Sequence, residues 1–267
     1  MRLHAAAPLR KVRALILAAG RGERMRPLTD HTPKPLLAVQ GKPLVQRWVE
    51  TLRAGGVDEI VINTAWLGEK IESYFSLQRP SEGRKQLSNQ ESSSDGDCIR
   101  FSSEGRDFGH ALETAGGIVR ALPLLASRDD DIFWVVAGDI FAPDFVCAPA
   151  AVERLAASDR LAHLWLVPNP AHKTEGDFAI DANGGALNDA PAGGVQYTFS
   201  TIALYRRALF EQPWCDIPSG NPQGLAAPLA PLLRKAIAAG RVSAELYEGA
   251  WTDVGTPERL AQLNAAA

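Results

Sequence analysis

Val12-Arg-Ala-Leu-Ile-Leu-Ala-Ala-Gly20 is a nearly continuous apolar run that stops at a glycine. Such a run is typical of a parallel β-strand that helices cover on both faces, because neither face then needs polar side chains. Similar apolar runs recur at residues 59–63, 99–102, 132–137 and 161–167. We therefore predict the strands of a buried sheet, the first of which leads directly into a glycine-rich turn.

The segments between these runs have helical periodicity. One apolar stripe consists of Leu44, Val45, Trp48, Val49 and Leu52, a second of Ile71, Tyr74 and Phe75, and a third of Ile118, Leu122 and Leu125. The alternation of strands and helices predicts an α/β fold, a Rossmann-like three-layer sandwich with a mostly parallel sheet. Short strand-like runs at residues 178–181 and 197–205 predict a small antiparallel addition to that sheet.

Composition narrows the class of protein. The chain has 267 residues, 46% of them hydrophobic and 22% charged, so it can bury a core and is not disordered by default. A net charge of −3 without a long basic run argues against nucleic acid or an anionic membrane as a partner. No apolar run reaches the roughly 18 residues of a membrane span.

Three cysteines that lie far apart argue against a disulfide scaffold or a structural zinc site and favour a reducing compartment, so we expect a cytoplasmic protein. Residues 1–10 are interpreted as an N-terminal extension and residues 11–267 as a single domain. Within that domain, residues 78–97 are rich in Ser, Gln, Glu, Asp and Gly and predict a polar surface insertion.

The first strand is followed by Gly20-Arg-Gly22, where backbone N–H groups can approach a phosphate closely. Arg24, Arg26 and Lys34 add positive charge nearby. The dinucleotide fingerprint lacks its third glycine, because Met25 stands there, and no P-loop GK[ST] follows, so a nicotinamide dehydrogenase is disfavoured. Taken alone, an ordinary strand-to-helix turn explains these glycines equally well.

Two acidic residues follow predicted strands. Asp139 comes after the run at 132–137, and Asp253 stands in Trp251-Thr-Asp-Val-Gly-Thr256. Open α/β sheets place their sites at the carboxyl ends of strands, and two hard carboxylates meeting there suit Mg²⁺. Each aspartate could instead be a helix N-cap or a turn former.

Several motifs together resemble the sugar-1-phosphate nucleotidylyltransferases. They are Gly20-x-Gly-x-Arg-x-x-Pro-Leu-Thr29, Pro33-Lys-Pro-Leu36, Val61-Ile-Asn63, Ala65-Trp-Leu-Gly68, Leu112-Glu-Thr-Ala-Gly-Gly-Ile118, Gly138-Asp139 and Trp251-Thr-Asp-Val-Gly-Thr-Pro257. Within that family the chain is most similar to the short N-acetylmuramate-1-phosphate uridylyltransferases of bacterial cell-wall recycling. The resemblance implies the nucleotide-diphospho-sugar transferase type of fold over residues 11–267.

The resemblance also implies roles for individual residues. Nucleotide binding is expected at Ala18, Ala19, Gly20, Gly22, Glu23, Arg24, Lys34, Ser102, Glu113, Gly116 and Gly117. Sugar-phosphate binding is expected at Asn169 and Asp177. The expected catalytic residues are Arg24, Lys34, Asp139 and Asp253, and the two aspartates are expected to hold Mg²⁺. For Gly116-Gly117 a flexible helix start is an equally good interpretation. Trp48 and Trp134 are expected in the core, and His110 and His172 on the surface rather than in catalysis.

The implied reaction is attack by a sugar-1-phosphate oxygen on the α-phosphorus of a nucleoside triphosphate, with release of pyrophosphate. A phosphate dianion is already a competent nucleophile, so no Ser, Cys or His base is required. UTP with N-acetylmuramate 1-phosphate is the expected pair, and a mannose-1-phosphate guanylyltransferase or another NDP-sugar pyrophosphorylase is the alternative. A non-catalytic nucleotide- or sugar-sensing domain is disfavoured, because a sensor does not need Arg24, Lys34, Asp139 and Asp253 together.

The sequence departs from the family pattern at three places. Residues 106–110 lengthen the loop before Leu112, Thr201 stands where a glycine is expected beside the sugar, and residues 78–97 are inserted. The chain ends soon after Asp253 and lacks hexapeptide repeats. We therefore expect a monomer or loose dimer without a β-helical trimerisation domain.

Overall fold

The computed structural model describes residues 12–77, 98–129 and 131–265. The predicted N-terminal extension, residues 1–10, and the predicted insertion, residues 78–97, lie outside the described residues. Among the helices that are described, none is both long and apolar enough to cross a membrane.

Within the described residues, seven strands form the central sheet, and six short strands form three small two-stranded sheets. In chain order the strands are β1 Arg13–Leu17, β2 Ala38–Val39, β3 Lys42–Pro43, β4 Glu59–Thr64, β5 Cys98–Ser103, β6 Ile132–Ala137, β7 Ile140–Phe141, β8 Ala162–Val167, β9 Ala179–Ile180, β10 Ala186–Leu187, β11 Thr198–Arg206, β12 Val242–Leu246 and β13 Thr252–Asp253. The central sheet has the order β12-β8-β11-β6-β1-β4-β5.

Helices cover both faces of that sheet. They are α1 Leu28–His31, α2 Leu44–Ala54, α3 Gly68–Leu77, α4 Glu104–Phe108, α5 Glu113–Leu125, α6 Pro149–Ala156, α7 Ala230–Ala238 and α8 Pro257–Ala265. Single turns of 3-10 helix occupy Glu23–Met25, Lys34–Leu36 and Arg207–Phe210. The predicted α/β sandwich is therefore confirmed.

The sheet is mostly parallel, as predicted. The central strand β1 pairs in parallel with β4 and β6, β4 with β5, and β12 with β8. Strand β11 is antiparallel to both of its neighbours, β6 and β8. The antiparallel addition predicted from residues 178–181 and 197–205 is confirmed, because β11 joins the central sheet in antiparallel orientation and β9 forms a separate pair with β10. The apolar stretch Ile202-Ala-Leu-Tyr205 of β11 is buried on both faces.

The core consists of two apolar layers, one on each face of the sheet. Side chains alternate between the faces along β1, so Leu15 packs with Ile118 of α5 on one side and Ile16 packs with Trp48 of α2 on the other. Full burial of each such aliphatic side chain contributes roughly 1.5–3 kcal/mol. Trp48 and Trp134 are buried, which confirms the prediction, and the indole of Trp48 donates a hydrogen bond to the Ile140 carbonyl at 2.9 Å.

Cys147 provides a test of this packing, because its side chain is 1% exposed and burial raises the pKa of its thiol to about 12. A thiol alkylates as the thiolate, so native Cys147 will resist iodoacetamide at pH 8 and react after unfolding in urea. Peptide mass spectrometry measures the modification, with the half-buried Cys215 as the internal control. Equal labelling of both cysteines in the native protein would contradict this packing.

Candidate functional site

A cavity of about 270 Å³ opens at the carboxyl ends of β1, β4 and β6. Its lining consists of Leu17, Ala18, Ala19, Gly20, Lys34, Pro35, Asn63, Ala111, Glu113, Thr114, Val135, Ala137, Asp139, Phe199, Thr201, Tyr205 and Leu229. Ligands of open α/β sheets bind at this edge, where consecutive strands send their loops apart. The cavity therefore lies where a ligand site is expected.

The glycine-rich loop forms one wall of the cavity. Gly22 has a left-handed φ of 68°, and its carbonyl accepts a hydrogen bond from the Thr29 hydroxyl at 2.9 Å. A Cβ on Gly20, in contrast, would have nothing within 4 Å. Packing within the protein accordingly requires a glycine at position 22, whereas glycine at position 20 leaves the backbone accessible from the cavity.

Trp66 fixes this loop from outside. The Arg21 guanidinium lies 3.5 Å from the Trp66 ring centroid, a cation–π contact. The Trp66 indole and Arg21 both donate hydrogen bonds to the Thr29 carbonyl, at 2.9 and 3.0 Å, and Arg21 also pairs with Asp30 at 3.3 Å. The Ala65–Gly68 motif thus holds the loop and contributes no residue to the cavity lining.

Lys34 and Asp139 meet at the centre of the site. The prolines at 33 and 35 restrict the backbone around Lys34, which begins a turn of 3-10 helix. Lys34 Nζ donates to Asp139 Oδ2 across the cavity. Gly138 precedes the aspartate and donates its N–H to the Leu17 carbonyl at 2.8 Å, which fixes the chain against the end of β1.

Asp253 reaches the same place through backbone pairing. Strands β7 and β13 are antiparallel, with Asp253 opposite Ile140, and Val254 N–H donates to the Asp139 carbonyl at 2.9 Å. Asp139, in the turn between β6 and β7, therefore lies next to Asp253 of β13 through this two-stranded pairing. The backbone pairing brings the two residues close to each other, and their role as metal ligands stays a prediction.

Basic side chains surround Asp253. Its Oδ1 accepts a hydrogen bond from Arg259 of α8 and lies 3.0 Å from His172 Nε2. The Arg24 guanidinium lies against Gly255, with its NH2 3.2 Å from the position of a Cβ added there. The sequence analysis placed His172 on the surface; its side chain is 40% exposed, yet it contacts this carboxylate. The surface position is therefore confirmed, and the contact with Asp253 is an addition that the sequence did not predict.

The donor set fits a hard cation that also uses ligands from a substrate. Among the described residues, no group of three or more His, Cys, Asp or Glu side chains could hold a metal. Within the same residues, Asp139 Oδ1 and Asp253 Oδ2 have no hydrogen-bond partner. Mg²⁺ is commonly held by one or two carboxylates and completes its octahedron with water and phosphate oxygens. This edge matches that requirement, whereas structural zinc needs four protein ligands.

The other predicted nucleotide residues divide into two sets. Ala18, Ala19, Gly20, Lys34 and Glu113 line the cavity. Outside the lining are Gly22, Glu23, Arg24, Ser102, Gly116 and Gly117. Glu23 is 69% exposed on its side chain and lies 3.7 Å from Arg21, while Ser102 is buried in β5 opposite Asn63.

The two glycines of α5 lie where other parts of the chain pack too closely against the helix to leave room for a side chain. Gly116 packs against the backbone at Leu225 and Ala227, where a Cβ would collide. Gly117 faces the side chains of Asn63 and Glu104. Neither glycine reaches the cavity, so the structure gives them a packing role, and their assignment to nucleotide binding stays a prediction.

Asn169 and Asp177 form hydrogen bonds to β11 and to the residues just before it, and Phe199 of this strand lines the cavity. The Asn169 amide donates to the carbonyls of Thr174 and Gln196 and accepts from the Thr198 hydroxyl. Asp177 Oδ2 accepts the Phe199 N–H at 2.8 Å and a hydrogen bond from Lys173 at 2.5 Å. Phe199 lines the cavity, and these two side chains hold its segment without lining the cavity themselves.

Thr201 shows why a glycine was expected at its position. Strand β11 has an irregular register between Phe199 and Ile202, and Thr201 there adopts a left-handed φ of 61°. A glycine takes that conformation without strain, whereas a β-branched residue does so rarely. The Ser200 hydroxyl donates to the Trp165 carbonyl at 2.6 Å and stabilises the irregular segment, which leaves Thr201 in the cavity wall.

The sequence analysis missed a buried carboxylate, that of Glu104, beside the cavity. Glu104 accepts hydrogen bonds from the Asn63 amide at 2.7 Å and from Leu112 N–H at 2.8 Å. Burial raises the pKa of the Glu104 carboxyl, and the hydrogen bonds from Leu112 and Asn63 offset part of that rise. Residues 106–110, noted as a lengthened loop, form most of α4 and the turn that follows it.

Comparison with known proteins agrees with this geometry. A family model described as nucleotidyl transferase matches residues 13–187. The N-acetylmuramate alpha-1-phosphate uridylyltransferase of Neisseria meningitidis serogroup B is 41% identical over 96% of this chain and 98% of its own. The protein of the same name from Caulobacter vibrioides is 30% identical over 92% of each chain.

A solved structure shows the same fold. The crystal structure of HddC from Yersinia pseudotuberculosis complexed with GMP-PN superposes with a TM-score of 0.67 and 19% identity, covering 96% of this chain and 99% of that one. At this level of identity the likeness concerns the fold alone.

The two glycines of the loop give opposite predictions for stability. Gly22→Ala will lower the free energy of unfolding by roughly 1–2 kcal/mol, because alanine is strained at a left-handed φ. Gly20→Ala will leave it within about 0.5 kcal/mol of wild type, because the added methyl group meets no protein atom within 4 Å. Urea denaturation measures both. Equal destabilisation of the two variants would contradict the difference between these positions.

Proposed function

Because the chain belongs to the nucleotidyl transferase family, we propose that it transfers the uridylyl group of UTP to N-acetylmuramate 1-phosphate and releases pyrophosphate. The observation that carries this proposal is the meeting of Asp139 and Asp253 beside Lys34 in a chain so similar to the Neisseria meningitidis protein. The similarity extends over nearly all of both chains, so it includes residues from every wall of the cavity.

In the proposed reaction, a phosphate oxygen of the sugar 1-phosphate attacks the α-phosphorus of UTP. The new bond joins that oxygen to the α-phosphorus, and the bond from the α-phosphorus to the β-phosphate oxygen breaks. Pyrophosphate leaves with the electron pair. The attacking phosphate is already an anion, so the site needs to position two negatively charged substrates and requires no side chain to remove a proton.

The chain's basic residues are arranged for that task. Lys34 lies inside the cavity, where its ammonium group can stabilise negative charge that develops on the triphosphate. Arg24 and Arg259 lie beside Asp253 at the edge of the same site and can neutralise the departing pyrophosphate. The N–H groups of the loop at 18–22 offer additional donors to phosphate oxygens, and Gly20 gives them room.

We propose Mg²⁺ as the cofactor, held by Asp139 and Asp253. When bound there, the ion supplies Lewis-acid stabilisation of charge on the phosphate oxygens. The ion pairs of Lys34 with Asp139 and of Arg259 with Asp253 keep both carboxylates oriented toward this position. The predicted roles of Asn169 and Asp177 toward the sugar phosphate are then indirect, through the Phe199 segment that they hold.

The cellular setting is part of the same proposal. Because the motifs resemble those of the uridylyltransferases of bacterial cell-wall recycling, we propose that the enzyme acts in peptidoglycan recycling in the cytoplasm. The absence of nucleic-acid or membrane partners remains a prediction that the net charge of −3 supports. The monomer or loose dimer remains a prediction as well.

Removing either carboxylate charge tests the catalytic centre. Asp139→Asn and Asp253→Asn will each lower kcat by roughly 100- to 1000-fold, because a preorganised charge at the reacting phosphates is lost. Asp159→Asn is the matched control, since Asp159 also pairs with arginine but lies before β8 at the opposite end of the sheet. Pyrophosphate release with Mg²⁺ measures the rates, and thermal unfolding checks the fold. A folded Asp139 or Asp253 variant with near-wild-type turnover would contradict the two-carboxylate site.

Substrate choice is tested by a panel of UTP, GTP, CTP, dTTP and ATP against the 1-phosphates of N-acetylmuramate, glucose, mannose and N-acetylglucosamine. The highest kcat/KM is expected for UTP with N-acetylmuramate 1-phosphate. A preference for GTP with mannose 1-phosphate would identify a guanylyltransferase instead. No turnover with any pair, together with measurable nucleotide binding, would favour the non-catalytic sensing domain.

A further inference from the structure

Glu104 is a carboxylate with no access to solvent, at 0% exposure, immediately beside the candidate site. Burying an ionisable group is costly unless its polar atoms have partners. Both oxygens are satisfied here, because Oε1 accepts from Asn63 Nδ2 at 2.7 Å and Oε2 accepts from Leu112 N–H at 2.8 Å. Glu104 therefore joins strand β4 to the residue that precedes α5.

Asn63 extends the connection to the glycine-rich loop. Its Oδ1 accepts the N–H of Ala18 at 2.6 Å, so the amide is held from both ends. We call the series Ala18 N–H, Asn63 side chain, Glu104 carboxylate and Leu112 N–H the polar bridge. Asn63 and Ala18 line the cavity directly, and Leu112 lies between the lining residues Ala111 and Glu113.

The packing around the polar bridge leaves little freedom for its side chains. A Cβ on Gly117 would lie 2.6 Å from Glu104 Oε1 and 2.9 Å from Asn63 Nδ2, closer than real Cβ atoms approach. Only glycine at position 117 lets α5 pack this closely against the two side chains. The bridge is thus a preorganised unit rather than a pair of adaptable surface groups.

We propose that Glu104 is a positioning residue for the nucleotide. It fixes the orientation of the Asn63 amide and thereby sets the distance between the loop at 18–20 and the segment at 111–114, which form facing parts of the cavity wall. Because Glu104 is completely buried, it acts through Asn63 and Leu112 and does not contact the substrate. This inference rests on the proposed function, in which these two segments hold UTP.

Reversing the polarity of the bridge tests the proposal. Glu104→Gln offers one acceptor to two donors, so either Asn63 or Leu112 loses its partner. Asn63→Asp places two carboxylates face to face. The double variant restores every hydrogen bond, since the new carboxylate at position 63 would accept from Ala18 N–H and from the new side-chain amide at position 104. The oxygen of that amide would in turn accept from Leu112 N–H.

The expected result is a separation of KM values. Each single variant will raise KM for UTP by about tenfold or more, with KM for the sugar 1-phosphate changed by less than about twofold. An unsatisfied buried donor in Glu104→Gln, or two opposed carboxylates in Asn63→Asp, displaces only the nucleotide side of the cavity. The double variant will return KM for UTP to within about threefold of wild type, since the hydrogen bonds couple the two sites. Gly117→Ala keeps both side chains but displaces the carboxylate, and it will raise KM for UTP as the single variants do.

Asp131→Asn is the matched control, because the Asp131 carboxylate likewise accepts hydrogen bonds from backbone N–H groups, those of Ser127 and Arg128, but at the opposite end of the sheet. It will lower Tm and leave both KM values unchanged. If Glu104 has only a structural role, Glu104→Gln will likewise lower Tm and leave both KM values unchanged. That result would overturn the proposal. A double variant as impaired in KM for UTP as the single variants would overturn it as well.

Turnover by the wild-type enzyme tests the proposed function, and it does so independently of the Glu104 variants. If wild type turns over no substrate pair, the proposed function fails, and calorimetric titration with UTP replaces KM as the readout. The dissociation constant for UTP will then rise in the single variants and recover in the double variant. Unchanged UTP affinity in folded Glu104→Gln would contradict the positioning role whatever reaction the protein catalyses.

Discussion

The short antiparallel pairing of β7 with β13 is the constraint on which the site depends. It places Asp253 opposite Ile140 and joins Val254 N–H to the Asp139 carbonyl, so that two acids from distant parts of the chain share one edge of the sheet. Val254 is completely buried and packs with Phe141 in one small apolar cluster. This side-chain packing stabilises the pairing of the two strands. Without it, Asp139 would stand alone at the end of β6.

The charges around the two aspartates are balanced before any substrate binds. Lys34 pairs with Asp139, while Arg259 and His172 contact Asp253. Each of the two carboxylates therefore has at least one basic side chain as a partner. Fixed partners of this kind cost no reorganisation at the moment of reaction, which is the basis of electrostatic catalysis. In the proposed function, a triphosphate and a hard cation enter this arrangement together, and the basic groups then have phosphate oxygens as further partners.

Local sequence signals predicted what depends on short stretches of chain. The apolar run before Gly20 predicted β1, and the apolar run at 132–137 predicted that Asp139 lies just past the end of β6. Asp253 was expected after a strand, whereas it lies within the short strand β13. The contacts of His172, Arg259 and Glu104 could not be predicted in this way, because each depends on a partner brought near only by the fold. Gly117 illustrates the difference: its neighbours in sequence suggest a flexible helix start, whereas its neighbours in space demand the absence of a side chain.

The most direct test of the account is whether Asp139 and Asp253 act as one unit. A double-mutant cycle of kcat/KM with Asp139→Asn, Asp253→Asn and the combined variant measures this coupling. If both carboxylates serve one cation beside the reacting phosphates, the combined variant will be no worse than about threefold below the more impaired single variant, because residues that act as a unit are not additive. Losses that multiply across the cycle would show two independent roles and contradict the shared site.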